Sequence, residues 1–281
     1  MWESGTLRLG AERTLAWSQG GEGPDLVLVH GALTTQHDWL AGPAGALSAR
    51  YRVTIVDRPG HGGSRRPRFA GTPRDQARQI ADGLAALNVD RPLVCAHSYG
   101  GLVALALAEQ RPEAVAGLVL LAPIAFPEVR AVEHMLLAPR ALPLAGPVFS
   151  WFAQRTPFDR TLLAFVQREM FFPAAVPAHW QDTFPYRAAI DAMVFEGEDA
   201  ASVLPGSPAA SVDLDALRLP VHVLTGTADR IVEDERQGKA LARLLRNARL
   251  TEIEGAGHML HHSHPETIRA ALEAMDPLPA A

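Results

Sequence analysis

Short, continuous runs of apolar residues recur along the chain and alternate with segments in which apolar residues repeat at helical spacing. A continuous apolar run is typical of a strand that is buried on both faces of a sheet. Strands that alternate with helices predict a parallel sheet covered on both faces. The predicted strands are Leu26–His30, Arg52–Asp57, Leu93–Ala96, Gly117–Ala122, Val221–Thr225 and Arg249–Glu254, and the predicted helices are Thr72–Leu87, Gly101–Gln110, Glu233–Leu245 and Pro265–Met275.

Two further segments near the start of the chain, Leu7–Leu9 and Leu15–Trp17, predict an antiparallel hairpin at the edge of this sheet. Together with the runs above they indicate the α/β fold class. The expected architecture is a mostly parallel, doubly wound sheet of about eight strands with an inserted helical lid.

The insertion is predicted from residues 124–213, which are rich in proline and contain no clear strand. Nine of the ten phenylalanines lie there. We expect a helical lid over residues 124–213 and a core domain over residues 1–123 and 214–281. Most of the aromatic rings should form the lid's own small core, and some should roof an apolar pocket. The residues expected to line that pocket are His30, Leu33, Phe126, Trp151, Phe172 and Trp180.

Composition excludes several classes of protein. The net charge of −5 gives no basic surface for nucleic acid. The single cysteine, Cys95, excludes an intrachain disulfide, and the first residues lack the pattern of a signal peptide. No apolar run reaches the roughly 18 residues that a transmembrane helix needs. We therefore expect a cytoplasmic protein without a cofactor, a membrane partner or a nucleic-acid partner. The sequence leaves the oligomeric state open, with a monomer and a homodimer as the alternatives.

Ser98 lies where a predicted strand gives way to a predicted helix, within Ala96-His97-Ser98-Tyr99-Gly100. The small residues two positions before and after it allow a tight turn. Such a turn lifts the hydroxyl out of the sheet and points the following N–H groups toward the same place. This geometry is typical of a serine nucleophile.

A serine hydroxyl needs a base, and a histidine base needs an acid that fixes its tautomer. His258 is the candidate base because it follows the last strand on a glycine-rich loop and because histidine titrates near neutrality. Asp229, which follows the strand Val221–Thr225, is the candidate acid. A helix cap is the alternative role for Asp229. The competing acid position, after Ala122, carries no carboxylate.

The negatively charged oxygen of a tetrahedral intermediate needs two preorganised donors. The backbone N–H of Tyr99, at the start of the helix, is the first candidate. The second should come from the loop after the strand Leu26–His30. We choose the N–H of Ala32 there, with Leu33 as the alternative.

These residues resemble the α/β-hydrolase superfamily from the hairpin to the last helix. The resemblance implies a serine hydrolase with a cap, and it implies that the Asp57–Gly62 segment is a structural turn, so Asp57 and His61 are left out of the catalytic set. Ala96 departs from the more usual glycine, with a modest expected effect on geometry. The matching segments, in the family's order, are His30-Gly31-Ala32, Asp57-Arg58-Pro59-Gly60-His61-Gly62, Ala96-His97-Ser98-Tyr99-Gly100-Gly101, Gly226-Thr227-Ala228-Asp229 and Gly257-His258.

Two other groups of residues have the spacing or the charge of a ligand site. The histidines at 258, 261, 262 and 264 are spaced like metal ligands, but a loop that enters a helix at Pro265 should splay them, so no metal site is expected. The run Arg65-Arg66-Pro67-Arg68 could bind an anion, but a solvated loop is the expectation.

The sequence thus predicts a hydrolase of small-molecule substrates. A carboxylic ester with an apolar or aromatic part is the preferred substrate, cleaved through an acyl-enzyme. Hydrolysis of a carbon–carbon bond in a dienoic or diketo acid is the alternative, and perhydrolase, lactonase or amidase chemistry stays open. A small-molecule receptor on the same fold is the alternative outside catalysis, because one fold hosts many functions.

Overall fold

Eight strands form one sheet in the computed structural model, which describes residues 1–129, 131–207 and 210–275. The strands are β1 (Trp2–Arg8), β2 (Thr14–Gly20), β3 (Asp25–Val29), β4 (Arg52–Val56), β5 (Leu93–His97), β6 (Gly117–Leu121), β7 (Val221–Gly226) and β8 (Ala248–Ile253). Their order across the sheet is β1-β2-β4-β3-β5-β6-β7-β8. β1 and β2 are antiparallel, and β3 to β8 are parallel. The predicted fold class and the edge hairpin are confirmed.

Helices connect the strands and cover the sheet. Within the described residues, none of them is long and apolar enough to span a membrane. The α-helices are α1 (His37–Leu40), α2 (Ala44–Leu47), α3 (Pro73–Ala86), α4 (Tyr99–Gln110), α5 (Ala131–Leu136), α6 (Ala145–Ala153), α7 (Phe158–Phe171), α8 (Ala178–Thr183), α9 (Tyr186–Asp191), α10 (Met193–Ser202), α11 (Gly238–Leu244), α12 (Leu260–Ser263) and α13 (Pro265–Glu273).

The two faces of the sheet bury separate apolar layers. Side chains of a strand alternate between faces, so Val27 and Val29 pack with helices α3, α4 and α11, whereas Leu26 and Leu28 pack with α1, α2, α12 and α13. Burial on both faces explains why the strands appear in the sequence as continuous apolar runs.

Helices α5–α10 lie between β6 and β7 and are called here the helical segment. Buried side chains from several of these helices, including Leu163, Phe171, Trp180 and Met193, form a third apolar cluster. The segment falls within the predicted lid. The proposed boundaries, 1–123 and 214–281 for the core and 124–213 for the lid, stay a prediction. Within these predicted ranges, residues 130, 208, 209 and 276–281 lie outside the described part of the chain.

The helix predicted to begin at Glu233 begins instead at Gly238. Two side chains, one at each end of residues 229–237, make other contacts. Asp229 Oδ1 accepts the N–H groups of Ile231 and Val232. The buried side chain of Gln237 accepts the N–H groups of Ala125 and Phe126, with its own backbone outside the helical region.

Candidate active site

Ser98 lies on the turn between β5 and α4, with φ 54° and ψ −122°. A positive φ is strained for a residue with a side chain and is found mainly where the surrounding structure enforces it. Here the Ser98 N–H donates to Leu121 O at 2.9 Å, and Ser98 O accepts the N–H of Ile124 at 3.0 Å. A Cβ on Gly100 would lie 2.6 Å from His30 O, so this position needs glycine. The strand–serine–helix turn that the sequence indicates is present.

His258 and Asp229 lie together although 29 residues separate them. The His258 Nδ1–H donates to Asp229 Oδ2 at 2.7 Å, and both side chains are almost fully buried. Asp229 Oδ1 accepts two backbone N–H groups, which fix the orientation of its carboxylate. Because Nδ1 is bound to the carboxylate, Nε2 is the nitrogen left to act on a substrate.

The loop that carries His258 rests against the helical segment. A Cβ on Gly257 would lie only 1.6 Å from Phe172 O, so the two backbones meet in a way that only glycine permits. Gly257 thus allows the loop that carries His258 to pack directly against the backbone of Phe172.

The loop after β3 carries the two candidates for the second oxyanion donor. The N–H of Leu33 donates to Glu196 Oε1 at 2.6 Å and is therefore already engaged. Ala32 lines the cavity together with Ser98 and Tyr99. This arrangement favours Ala32, with Tyr99, over Leu33.

His30 lies at the start of the loop after β3 and does not line the described cavity. Its Nε2 accepts the N–H of Arg58 at 2.9 Å, and its Nδ1 lies 2.8 Å from Gly31 O. Burial and the neighbouring Arg58 guanidinium lower the pKa of His30 well below its ordinary value. A neutral imidazole with Nδ1 protonated satisfies both contacts.

Ser98 and His258 both line one cavity between the core loops and the helical segment. Most of its wall is aliphatic, contributed by the core loops and by helices α7 and α10. Glu196 and Asp199 add two carboxylates, and the described wall contains no lysine or arginine. The lining residues are Ala32, Leu33, Ser98, Tyr99, Ile124, Leu137, Val166, Met170, Glu196, Asp199, Ala200, Val203, Ile231 and His258.

Of the predicted pocket residues, Leu33 lines this cavity and the four aromatic ones do not. Trp180 is fully buried among other rings, where its Nε1–H donates to Asp38 at 3.1 Å. Trp151 is 57% exposed. Phe126 packs against the core of the sheet, and the ring of Phe172 lies under the Arg230 guanidinium. These four rings lie in packed clusters or at the surface, and the apolar wall of the cavity is mostly aliphatic.

A network of buried charges ties helix α10 to the core, and sequence reasoning missed it. Arg58 donates to Asp199 Oδ2 at 2.6 Å, and Arg66 forms an ion pair with Glu198. The expectation that residues 65–68 form a solvated loop is wrong for Arg66, which is buried. Its partner lies 132 residues away in the sequence, so no local pattern could have indicated the pair.

Glu196 belongs to the same network and also faces the cavity. Its Oε1 lies 3.1 Å from His61 Nε2. Burial alone would raise the pKa of Glu196, but the neighbouring His61 and Arg58 and the N–H of Leu33 outweigh burial and lower it. The carboxylate is thus held ionised next to the candidate oxyanion donors.

The four clustered histidines take separate roles. His258 binds Asp229, and His264 lies next to Ser263. His261 and His262 do not splay apart. Both donate Nε2–H to the buried Asp38, at 2.9 and 2.8 Å.

Two buried groups bring potential metal ligands within 4.8 Å of one another: Asp38 with His97 and His261, and His61 with Glu196 and Asp199. In the first group, Asp38 already accepts hydrogen bonds on both oxygens. In the second, the Arg58 guanidinium occupies Asp199, and its fixed charge opposes a cation. Hydrogen bonds and ion pairs thus hold the carboxylates of Asp38 and Asp199.

Comparison with known proteins agrees with this architecture. The sequence profile described as the alpha/beta hydrolase family matches residues 26–271, so the chain belongs to that family. The enol-lactonase of Burkholderia xenovorans LB400 has a similar structure, with a TM-score of 0.74, 22% identity, and coverage of 94% of this chain and 96% of that one.

Three curated relatives are similar in sequence. The magnesium-chelatase 30 kDa subunit of Rhodobacter capsulatus is 32% identical over 85% of this chain and 82% of its own length. The 2-hydroxymuconate semialdehyde hydrolase of Pseudomonas putida is 29% identical over 90% and 87%. The pimeloyl-[acyl-carrier protein] methyl ester esterase of Nitrosomonas europaea is 42% identical over 36% of this chain, and the match spans only 38% of that esterase.

Proposed function

We propose that the chain is a serine hydrolase in which Ser98 is the nucleophile, His258 the general base and Asp229 the residue that orients His258. The observation that carries the proposal is the 2.7 Å contact between His258 Nδ1 and Asp229 Oδ2, beside a serine with a positive φ in the same cavity. A base fixed by an acid next to a hydroxyl is the arrangement that activates serine.

In the proposed reaction, Ser98 Oγ attacks the ester carbonyl carbon while His258 Nε2 takes its proton. The backbone N–H groups of Tyr99 and Ala32 stabilise the resulting oxyanion. His258 then protonates the leaving alcohol as the carbon–oxygen bond breaks, which gives an acyl-enzyme and an alcohol. Water, deprotonated by His258, attacks the acyl group and releases the acid and the free serine.

The preferred substrate is an uncharged carboxylic ester with an apolar part. The aliphatic wall favours such a group, since apolar surface gains free energy on leaving water. The described wall contains no lysine or arginine that could bind the carboxylate of the dienoic or diketo acids of the carbon–carbon alternative, which disfavours those substrates. Because one relative is a 2-hydroxymuconate semialdehyde hydrolase, the experiment below also tests hydrolysis of a carbon–carbon bond.

The test combines a serine-directed phosphonate probe with two substrate panels. We expect the probe to label Ser98, and Ser98→Ala to lose both labelling and ester turnover while retaining the fold. Ser263→Ala, on the exposed side of helix α12, is the matched control and should behave as wild type. Esters with apolar acyl groups should be cleaved faster than dienoic acids. Full ester turnover by Ser98→Ala would refute the mechanism, and ligand binding without turnover of either panel would favour a receptor.

A further inference from the structure

The outer side of the helical segment exposes a group of apolar side chains around helix α6 and the start of α7. Soluble proteins rarely expose a contiguous group of this kind unless it binds a partner. We call it the apolar–basic surface, and its apolar members are Leu142, Leu144, Val148, Phe149, Trp151, Phe152, Phe158 and Phe165.

The exposed charges within residues 142–168 have one sign. This range contains three exposed arginines, Arg155, Arg160 and Arg168, of which Arg168 pairs with the neighbouring Glu169 at 3.2 Å. The single acid of the range, Asp159, is buried in an ion pair with Arg140. The whole chain has a net charge of −5, so the basic character belongs to this surface and not to the protein at large.

The arginines and aromatic rings are arranged for an interface between water and an apolar phase. The Arg155 guanidinium lies 4.2 Å from the centroid of the Trp151 ring, and Arg168 lies 5.5 Å from that of Phe165. At a membrane surface, aromatic rings insert at the edge of the acyl chains, and cations beside the rings contact the lipid phosphates. We infer that the apolar–basic surface binds peripherally to an anionic lipid bilayer.

A second copy of this chain fits the surface less well. A two-fold contact would bring Arg155 and Arg160 of both copies together, with no exposed acid from residues 142–168 to neutralise them. An anionic bilayer supplies the missing negative charge.

The inference goes beyond the proposed hydrolysis and does not depend on it. It also departs from the expectation of no membrane partner, because peripheral binding needs an exposed apolar surface and not a spanning helix. The position of the surface is informative: helix α7 exposes Phe158 and Phe165, while its Val166 and Met170 line the cavity. Bilayer contact would therefore bring lipid against the helix that borders the site.

The first experiment measures co-sedimentation of the full chain with vesicles of phosphatidylcholine alone or mixed with phosphatidylglycerol. We expect binding to the mixed vesicles, weakened by added salt. W151S/F152S should lower the partition coefficient at least about tenfold. The control is L244S, since Leu244 and Phe152 are both 61% exposed but Leu244 lies on helix α11. L244S should bind as wild type does.

The second experiment separates local charge from net charge. R155Q/R160Q should lower binding to the mixed vesicles about tenfold or more. R236Q/R246Q makes the same change in net charge at two exposed arginines of the core, and it should have little effect. Circular dichroism and thermal unfolding of all variants report on their fold.

A third measurement needs no variant. Lipids brominated along the acyl chain should quench tryptophan fluorescence of the wild-type protein, because Trp151 is the most exposed of its tryptophans. Absence of binding to phosphatidylglycerol vesicles, or binding that W151S/F152S leaves unchanged, overturns the inference. A dimer that W151S/F152S dissociates, without vesicle binding by wild type, would assign the surface to self-association instead.

Discussion

The carboxylate of Glu196 accepts a 2.6 Å hydrogen bond from the backbone N–H of Leu33, which joins helix α10 to the loop that carries Ala32. The loop has an unusual conformation at this point, since Leu33 has φ 58°. A residue of the helical segment therefore supports the backbone next to the candidate oxyanion donors. This gives Glu196 a positioning role that its place in the sequence does not suggest.

Replacing Glu196 should accordingly impair catalysis through that loop. We expect Glu196→Ala to lower kcat for a soluble ester by about tenfold or more, because a misplaced oxyanion donor loses much of its stabilisation of the transition state. Glu196→Gln retains an oxygen acceptor for the Leu33 N–H and should recover most of the rate. Steady-state kinetics with a thermal unfolding curve for each variant checks this. Equal kcat for Glu196→Ala and wild type would contradict the role.

Asp229→Asn should lower the esterase rate by about three to four orders of magnitude, because an amide no longer holds His258 in the required tautomer. The fold should persist, since the amide oxygen can still accept the N–H groups of Ile231 and Val232. Asp234→Asn, which changes the other aspartate between β7 and α11, is the control and should retain most activity. Loss of activity in Asp234→Asn, with Asp229→Asn unaffected, would move the acid to position 234.

Gly257→Ala should destabilise the protein strongly, by about 3 kcal/mol or more, because the new methyl group overlaps Phe172 O and the backbones must separate. Gly45→Ala is the matched control. Its Cβ meets nothing within 4 Å, and its position in helix α2 favours alanine. Urea unfolding of both variants measures the difference. Comparable stability of Gly257→Ala and wild type would mean that the loop does not pack as described.

Stability should fall in mild acid because buried histidines are neutral in the folded state. Burial is the largest cause that lowers the pKa of both His30 and His97 well below the ordinary value. The unfolded chain therefore binds more protons than the folded one as pH drops below about 6.5, so the free energy of unfolding rises with pH in this range.

Between pH 6.5 and 5.5 these two groups should together cost up to about 2 kcal/mol of stability. Urea unfolding at several pH values measures the slope. His97→Gln should reduce the slope by the share that His97 contributes, whatever its effect on the stability at pH 7.5. A free energy of unfolding that is constant from pH 7.5 to 5.5 would show that neither histidine is neutral because of burial.

The fold could be predicted from local patterns because strands that are buried on both faces appear in the sequence as continuous apolar runs. The turn at Ser98 could be predicted because its immediate neighbours determine its geometry. Asp229 and His258 could be placed because strand ends meet at one edge of the sheet. The pairing of Arg66 with Glu198 could not, since it joins residues 132 positions apart. Aromatic content likewise could not tell which rings face inward: Trp180 is buried and Trp151 is exposed.

The buried ion pairs of helix α10 also decide where the roof of the cavity can open. Separating Arg58 from Asp199 without water would cost about 3–5 kcal/mol, as for other buried pairs that lose a partner. At helix α7 the pair Glu169–Arg230 is 22% and 50% exposed, and water replaces such a contact at little cost. We therefore expect the contact at α7 to open at a lower cost than the contact at α10, so that a substrate should enter from the α7 side.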